Sequence, residues 1–323
     1  MKNLILKIGP MFALAALVAG GCRQGSSTAS RESEFSYSSV PIIAPATCHD
    51  LRTFMAGNRY HWDNLDQGVP PFIMATLPPD FQELREVKEK KRLFYLSLLP
   101  MVLMVNEEIR HQRQEVITAL DHYDAGLSLT AAQHRSLLNS SREYNVQGNP
   151  LLDPLARRNL LKRLDVLPPS MVLAQAANES AYGTSRFALE GNNLFGLWTY
   201  ASGTGMVPLD RSAGETHEVQ RFPTLYDSVR AYMKNLNSHR AYGSLRELRA
   251  MLRDKGMGLR GIDLAAGLRL YSTRRDDYVR EIRSMIRGND LARLASVRLQ
   301  KPAPSVGLLP AERNFHHLLA ATN

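Results

Sequence analysis

Pro168-Pro169-Ser170-Met171-Val172-Leu173-Ala174-Gln175-Ala176-Ala177-Asn178-Glu179-Ser180, then Ala181-Tyr182-Gly183-Thr184-Ser185, is the stretch from which the rest of the chain is read. Two prolines stop whatever precedes them, Ser170 is a good N-cap, and the residues after it are mostly small or aliphatic helix formers. The run therefore predicts a short buried helix. On a 3.6-residue period Val172, Gln175, Ala176 and Glu179 share one face, which places the sole carboxylate of the run among apolar side chains. Burial disfavours the ionised form and raises the pKa, the property a general acid needs near neutral pH. The competing reading is a Glu at a frayed helix end, looking into water, and the helix alone does not choose between them.

With 323 residues and an apolar fraction of 44%, the chain has room for one large domain or two smaller ones around a real core. Its formal net charge is +9, with the basic residues scattered through helices. That balance suits an anionic polymer or surface. Nucleic acid has no further support, because neither zinc-finger spacing nor an RNP-like run is present. The two cysteines, Cys22 and Cys48, resemble neither half of a metal site nor a disulfide framework. His49, His61, His111, His122 and His134 lack the paired spacing of a zinc helix, and no Gly-x-Ser-x-Gly elbow appears. No metal and no cofactor is expected.

Residues 1–21 carry Lys2 and Lys7 ahead of the apolar run 11–19 and predict an export signal, too short for a stable membrane span. Ala19-Gly20-Gly21-Cys22 is similar to a bacterial lipobox, although Ala19 stands where Leu is usual. Lipidation at Cys22 and ordinary cleavage both fit, and either carries the protein to the periplasm. Residues 22–46 are rich in Ser, Thr and Gly and predict a flexible tether. Phe54, Tyr60, Trp62 and Phe72 then sit among turn formers, as a packed arm would place them. Residues 86–113 give the longest helical signal, with Pro100 predicting a kink or break. Glu107-Glu108 within it reads as an exposed charged face or a structural ion pair. Further helices are expected over 127–143 and 152–166, so 47–166 forms an arm and helical region packed on a second unit, 167–295. In that unit Gly191-Asn192-Asn193-Leu194-Phe195-Gly196-Leu197-Trp198 and the segments 203–209 and 216–222 predict a small antiparallel ribbon. Helices resume over 225–237, after a capping box at Ser244-Leu245-Arg246-Glu247, over 263–270 and over 276–286. A loose tail is expected over 296–323. The fold class is α+β, predominantly α-helical, with a β-ribbon lobe.

A helix-borne carboxylate followed by a ribbon holding a second one is the layout of a glycosidase cleft, in which one protonated and one ionised carboxyl group flank a sugar bond. Glu179 and Glu218 are the candidates. Glu215 competes with Glu218, because a one-residue slip exchanges which side chain faces the cleft.

Ala174-Gln175-Ala176-Ala177-Asn178-Glu179-Ser180, Tyr182-Gly183-Thr184-Ser185 and Asn192-Asn193-Leu194-Phe195-Gly196 together resemble the signature of the bacterial glucosaminidases of glycoside hydrolase family 73. Thr216-His217-Glu218 is similar to that family's Thr-x-Glu strand, and Leu268-Arg269-Leu270-Tyr271-Ser272 to its Tyr-Ala-Thr-Asp segment. The resemblance spans about 168–286, and Lys90-Lys91-Arg92-Leu93-Phe94 with Asn106-Glu107-Glu108-Ile109-Arg110 resembles exported Gram-negative relatives. It implies a lysozyme-like domain that hydrolyses the β-1,4 bond after N-acetylglucosamine in peptidoglycan glycan strands. It implies Glu179 as general acid, Glu218 as second carboxylate and Tyr271 as supporting hydroxyl. A monomer is expected as the working unit. Arg274 stands where the family has Asp, which makes Tyr278 the alternative to Tyr271. Leu197-Trp198 replaces a more usual Ile-Lys, so Trp198 either offers a flat face to a sugar or anchors the ribbon. Asn193, Phe195 and Tyr278 complete the expected substrate-binding set, although Asn193 and Phe195 also suit a turn and the core beneath it.

Overall fold

The computed structural model describes residues 40–300 apart from 210, 212 and 213, so the expected export signal, Cys22, the expected tether before residue 40 and the expected tail from residue 301 lie outside the described residues. In chain order the elements are β1 (Ile42–Ile43), α1 (Cys48–Gly57), β2 (Ile73–Met74), α2 (Val87–Asp124), α3 (Ala131–Glu143), α4 (Pro154–Arg163), α5 (Pro169–Ser180) and α6 (Arg186–Gly191). The ribbon follows as β3 (Trp198–Thr199), β4 (Gly205–Met206) and β5 (Glu218–Gln220), and the chain continues through α7 (Leu225–Ser238), α8 (Gly243–Asp254), α9 (Gly261–Leu264) and α10 (Asp276–Gly288). The architecture is predominantly helical α+β, as the sequence predicts. β5 is the middle strand of the ribbon and runs antiparallel to both neighbours, with Thr199 opposite Glu218 and Met206 opposite Val219.

α2 is the axle of the fold. Every residue from 93 to 106 is buried, so this part of the helix is enclosed on all sides and its apolar residues need no single stripe. Pro100 does not break it. A proline gives no N–H to the carbonyl four residues back, and here the Tyr60 hydroxyl donates to that orphaned carbonyl of Leu96 at 3.0 Å. The aromatic arm thus supplies a hydrogen bond that the helix cannot make. Asn106, near the end of the buried run, binds both backbone groups of Leu167, donating to its carbonyl at 2.8 Å and accepting from its N–H at 3.0 Å. That clamp sets where α5 begins. One hydrophobic core runs from Cys48 to Val297, so the region 47–166 and the unit after it share a single interior.

The pattern of apolar residues predicts the helices better than it predicts their ends. Ser170 does not cap α5: the helix starts at Pro169, Pro168 occupies the cap position without a side-chain bond, and Ser170 is buried in the first turn. Proline at the first helical position loses nothing there, because that N–H has no partner in any helix. Gly261 lies against this turn, and a Cβ there would meet Ser170 Oγ at 2.3 Å and Met171 N at 2.8 Å. Ser244 does not cap α8 either, since the helix begins at Gly243 with no side-chain cap. The expected tether ends early, because Ile42–Ile43 pairs in parallel with Ile73–Met74. The expected tail starts late: Val69 donates to the Arg298 carbonyl at 2.9 Å and accepts from Gln300 N–H at 2.8 Å, and Val297 is buried. Both ends supply edge pairing to the arm, a long-range fit that local composition does not show.

Candidate functional site

Glu179 sits one residue before the end of α5, the helix that packs against α2, α9 and α10. The three residues after Ser180 all have positive φ, at 51° for Ala181, 57° for Tyr182 and 79° for Gly183. Such a run is unfavourable for residues with a side chain, and here the Ser180 hydroxyl holds it by donating to the Ala176 carbonyl at 2.6 Å while accepting from Gly183 N–H at 2.8 Å. The helix is therefore stopped immediately beyond its carboxylate. Gly183 also has no room for a Cβ, which would come 2.3 Å from the Leu77 side chain.

The Glu179 carboxylate accepts from the Tyr278 hydroxyl at 2.7 Å and, more weakly, from Asn178 Nδ2 at 3.3 Å, both at Oε1. Burial raises its pKa above the ordinary carboxylate value, and the Glu281 charge adds to that rise. The Tyr278 and Asn178 bonds and the Arg274 charge pull the other way without reversing it. Behind it lies a cage of aromatic rings. Tyr271 stacks on Tyr278 at 5.4 Å between centroids, Phe195 stacks on Tyr232 at 3.8 Å, and Tyr242 and Tyr232 flank Tyr271. The frayed-end reading of Glu179 fails on this packing.

Glu218 is in the opposite situation. It opens β5, is 6% exposed, and accepts from the backbone N–H of Gly203 at 2.9 Å on Oε1 and of Gly205 at 2.7 Å on Oε2. Those two bonds hold its pKa below the ordinary carboxylate value. The loop between β3 and β4 thus closes over the ionised group like a clasp. Gly205 is required by close approach, since a Cβ there would lie 2.5 Å from the Val219 carbonyl oxygen and 2.8 Å from Glu218 Cβ. Replacing Gly205 with Ala should lift the loop off Glu218, with a stability loss of about 1–3 kcal/mol in urea unfolding. The same variant should raise the pH at which Glu218 takes up a proton, as read by carboxyl carbon NMR.

Glu215 lies outside the strand, 3.7 Å from His217 Nδ1 and on the loop side of β5. Trp198 is half-buried and its ring stacks on His217 at 4.1 Å, so one face of the indole is covered by the ribbon itself. The structure places four of the other candidates as follows. The Tyr271 hydroxyl donates to the Phe195 carbonyl at 2.9 Å, and it is Tyr278 from α10 whose hydroxyl donates to the Glu179 carboxylate. Tyr278 is itself 1% exposed, with its hydroxyl held between Gln175 and Glu179. Asn193 and Phe195 are buried as well. Asn193 donates to the Leu197 and Gln220 carbonyls and accepts from Phe195 and Leu197 N–H, so it ties the turn into β3, and Phe195 fills the core against Tyr232.

Tyr232, which the sequence suggests as a packing residue, is fully buried; the hydrogen-bonding part of Gln175 and the two glycines that bind Glu218 were not foreseen. Gln175 had a signal, because it is the one polar residue sharing the apolar face with Glu179. Glu108 matches its structural reading: it accepts from the Tyr226 hydroxyl and lies 3.5 Å from Arg230 Nε. A groove of about 650 Å³ lies between the arm and α6, lined by Leu77, Gln82, Thr184 and Arg186 among others, and does not include Glu179.

A family model described as Glucosaminidase, Mannosyl-glycoprotein endo-beta-N-acetylglucosaminidase, matches residues 156–291, which include α5, the ribbon and α10. Protein bax of Escherichia coli (strain K12) is 29% identical over 211 residues, 65% of this chain and 74% of that protein. No solved structure matches the chain significantly.

Proposed function

We propose that this chain, which carries a domain of the glucosaminidase family, hydrolyses the β-1,4 bond after N-acetylglucosamine in peptidoglycan. The observation that carries this reading is the contrast between its two carboxylates. Glu179 is held towards its neutral form by burial, and Glu218 is held ionised by two backbone N–H groups. A glycosidase needs that division: one group protonates the departing sugar oxygen while the other activates water or opposes positive charge at the anomeric carbon. Glu179 is the general acid in this reading and Glu218 the ionised partner. Tyr278 and the aromatic cage hold the acid in place, and Trp198 offers its uncovered face to a sugar ring. The basic surface suits an anionic wall polymer, and the export signal expected at 1–21 would deliver the protein to that polymer.

The pH dependence follows from the two directions. Activity requires protonated Glu179, so it falls as pH rises through a pKa above the ordinary carboxylate range. It also requires ionised Glu218, so it falls as pH drops through a pKa below that range. A plateau spanning the ordinary carboxylate range is expected, and Glu218→Gln should reduce fragment release by roughly 10²-fold or more while removing the acid limb.

One observation favours a second reading. Both oxygens of Glu218 are already engaged by the loop, which leaves room for cleavage by Glu179 alone, acting first as acid and then as base, as in lytic transglycosylases. Incubation of the purified protein with peptidoglycan, followed by mass spectrometry of the released fragments, separates the cases. Reducing-end N-acetylglucosamine supports hydrolysis, anhydro-muramic ends support the single-carboxylate route, and absence of fragments reduces the chain to a wall-binding module.

A further inference from the structure

Three buried side chains form a line behind Glu179. The Tyr232 hydroxyl donates to Gln175 Oε1, Gln175 Nε2 donates to the Tyr278 hydroxyl oxygen at 2.8 Å, and the Tyr278 hydroxyl donates to Glu179 Oε1 at 2.7 Å. They come from three helices, α7, α5 and α10, and Gln175 and Tyr232 have no exposed surface. We propose that Gln175 and Tyr232 are positioning residues, whose one-way chain of donors fixes the Tyr278 hydroxyl as a donor to Oε1 of Glu179 and so assigns the reactive proton to Oε2. The proposal rests on the reading of Glu179 as general acid.

The direction of the chain follows from counting donors and acceptors. A phenol has a single proton to donate, and among the described residues the only acceptor for that of Tyr232 is Gln175 Oε1. Turning the amide over would point Nε2 at Tyr232 and leave the hydroxyl proton buried without an acceptor, at a cost of about 1–3 kcal/mol. The amide is therefore oriented with its N–H towards Tyr278. That N–H occupies the Tyr278 oxygen as an acceptor, and the Tyr278 proton has Glu179 Oε1 to receive it. Oε1 then accepts from Tyr278 and Asn178, while Oε2 has no hydrogen-bond partner among the described residues. A proton on Glu179 sits on Oε2, and Oε2 is the oxygen left for the glycosidic bond. Without the chain, a protonated Glu179 could donate to Tyr278 from Oε1 and hold its proton away from the substrate. Burial keeps the Tyr232 and Tyr278 hydroxyls well above their ordinary pKa, so they stay donors across the working range.

The charged and titratable groups that act on Glu179 are Tyr278 and Glu281 of α10, Arg274 and Tyr271 of the preceding turn, Tyr232 of α7, and Tyr242 ahead of α8. None of the charged ones touches the Tyr232–Gln175 end of the chain, so a change at Tyr232 reports on hydrogen-bond direction.

The test has two parts, both on the full chain without its export signal. In the wild type, NMR contacts from the Gln175 side-chain amide protons should be stronger to the Tyr278 ring than to the Tyr232 ring; the reverse order overturns the proposal. In Tyr232→Phe, which keeps the ring and removes only the donor, the Glu179 carboxyl carbon should titrate at higher pH, because Tyr278 is no longer held as a donor to the carboxylate. An unmoved Glu179 titration in the folded variant overturns the proposal too. On peptidoglycan, kcat should fall roughly tenfold with KM within about twofold, and the alkaline limb should move to higher pH. Should Tyr232→Phe not fold, the amide contacts in the wild type decide. Both NMR readings stand without turnover, so failure of the wild type to release fragments would remove the proposed function and leave the hydrogen-bond chain separately tested.

Discussion

Replacing Glu179 with Gln should lower fragment release from peptidoglycan by roughly 10²–10⁴-fold, the range that positioned general-acid catalysis supplies. Thermal stability should hold or improve. Gln has the same shape, keeps an oxygen for the Tyr278 hydroxyl, and removes a carboxyl group that burial disfavours in its ionised form. The pH dependence identifies the cause. With its folded-state pKa raised above the ordinary 4.5, Glu179 leaves the fold undisturbed below that value and destabilises it increasingly as pH rises through the raised pKa. The amide has no such dependence, so the melting temperature of the variant should exceed that of the wild type by a margin that opens above about pH 4.5 and then levels off. A variant that loses activity and stability together at every pH would point to a structural role for Glu179. Retained activity would move the acid elsewhere.

The largest loss of stability is expected from Arg249→Met, measured as the shift of the urea midpoint at constant slope. Arg249 is 1% exposed and donates to the carbonyls of Lys162, Asp165 and Val166 and to Asn237 Oδ1, with the Asp165 carboxylate 3.7 Å from its Nε. Those carbonyls belong to the last turn of α4 and the segment that joins it to α5. One guanidinium thus satisfies the backbone that leads into the helix carrying Glu179. Methionine would fill much of the volume and leave these acceptors buried without donors, a loss of about 3–5 kcal/mol by analogy with broken buried pairs. Burial pushes Asp165 up, but the Arg253 bond and the charges of Arg249 and Arg113 outweigh it and hold its pKa below the ordinary value. Its contribution is present at neutral pH and lost as pH falls through that lowered value. The penalty of Arg249→Met should therefore shrink in acid. Arg253→Met, at a side chain that is half exposed, should cost clearly less.

The two carboxylates show how far sequence reading reached. Glu179 was visible from periodicity, because 3.6-residue spacing alone puts it on the face of Val172 and Ala176. Glu218 was narrower: alternation gave a ribbon, while the choice against Glu215 depended on a pairing register that two-residue strands barely encode. The two tyrosines were left as alternatives for a different reason. Tyr271 and Tyr278 stand seven residues apart and stack on each other, so either could have met the carboxylate. What separates them is the direction of the chain between them, where Tyr271 precedes the turn into α10 and Tyr278 lies on its buried face.

By itself the sequence determined the helical α+β class, the buried helix that carries Glu179 and its turn, and the ribbon that follows. These depend on local spacing, on prolines and glycines that permit few backbone states, and on a motif whose residues are close in sequence. Only the tertiary structure decided which hydroxyl faces Glu179, which backbone groups hold Glu218 ionised, that Tyr60 completes the helix at Pro100, and that both ends of the described chain pair with the arm. Each joins residues distant in sequence. Such contacts depend on the packing angles of whole helices, and no local pattern of side chains specifies those angles.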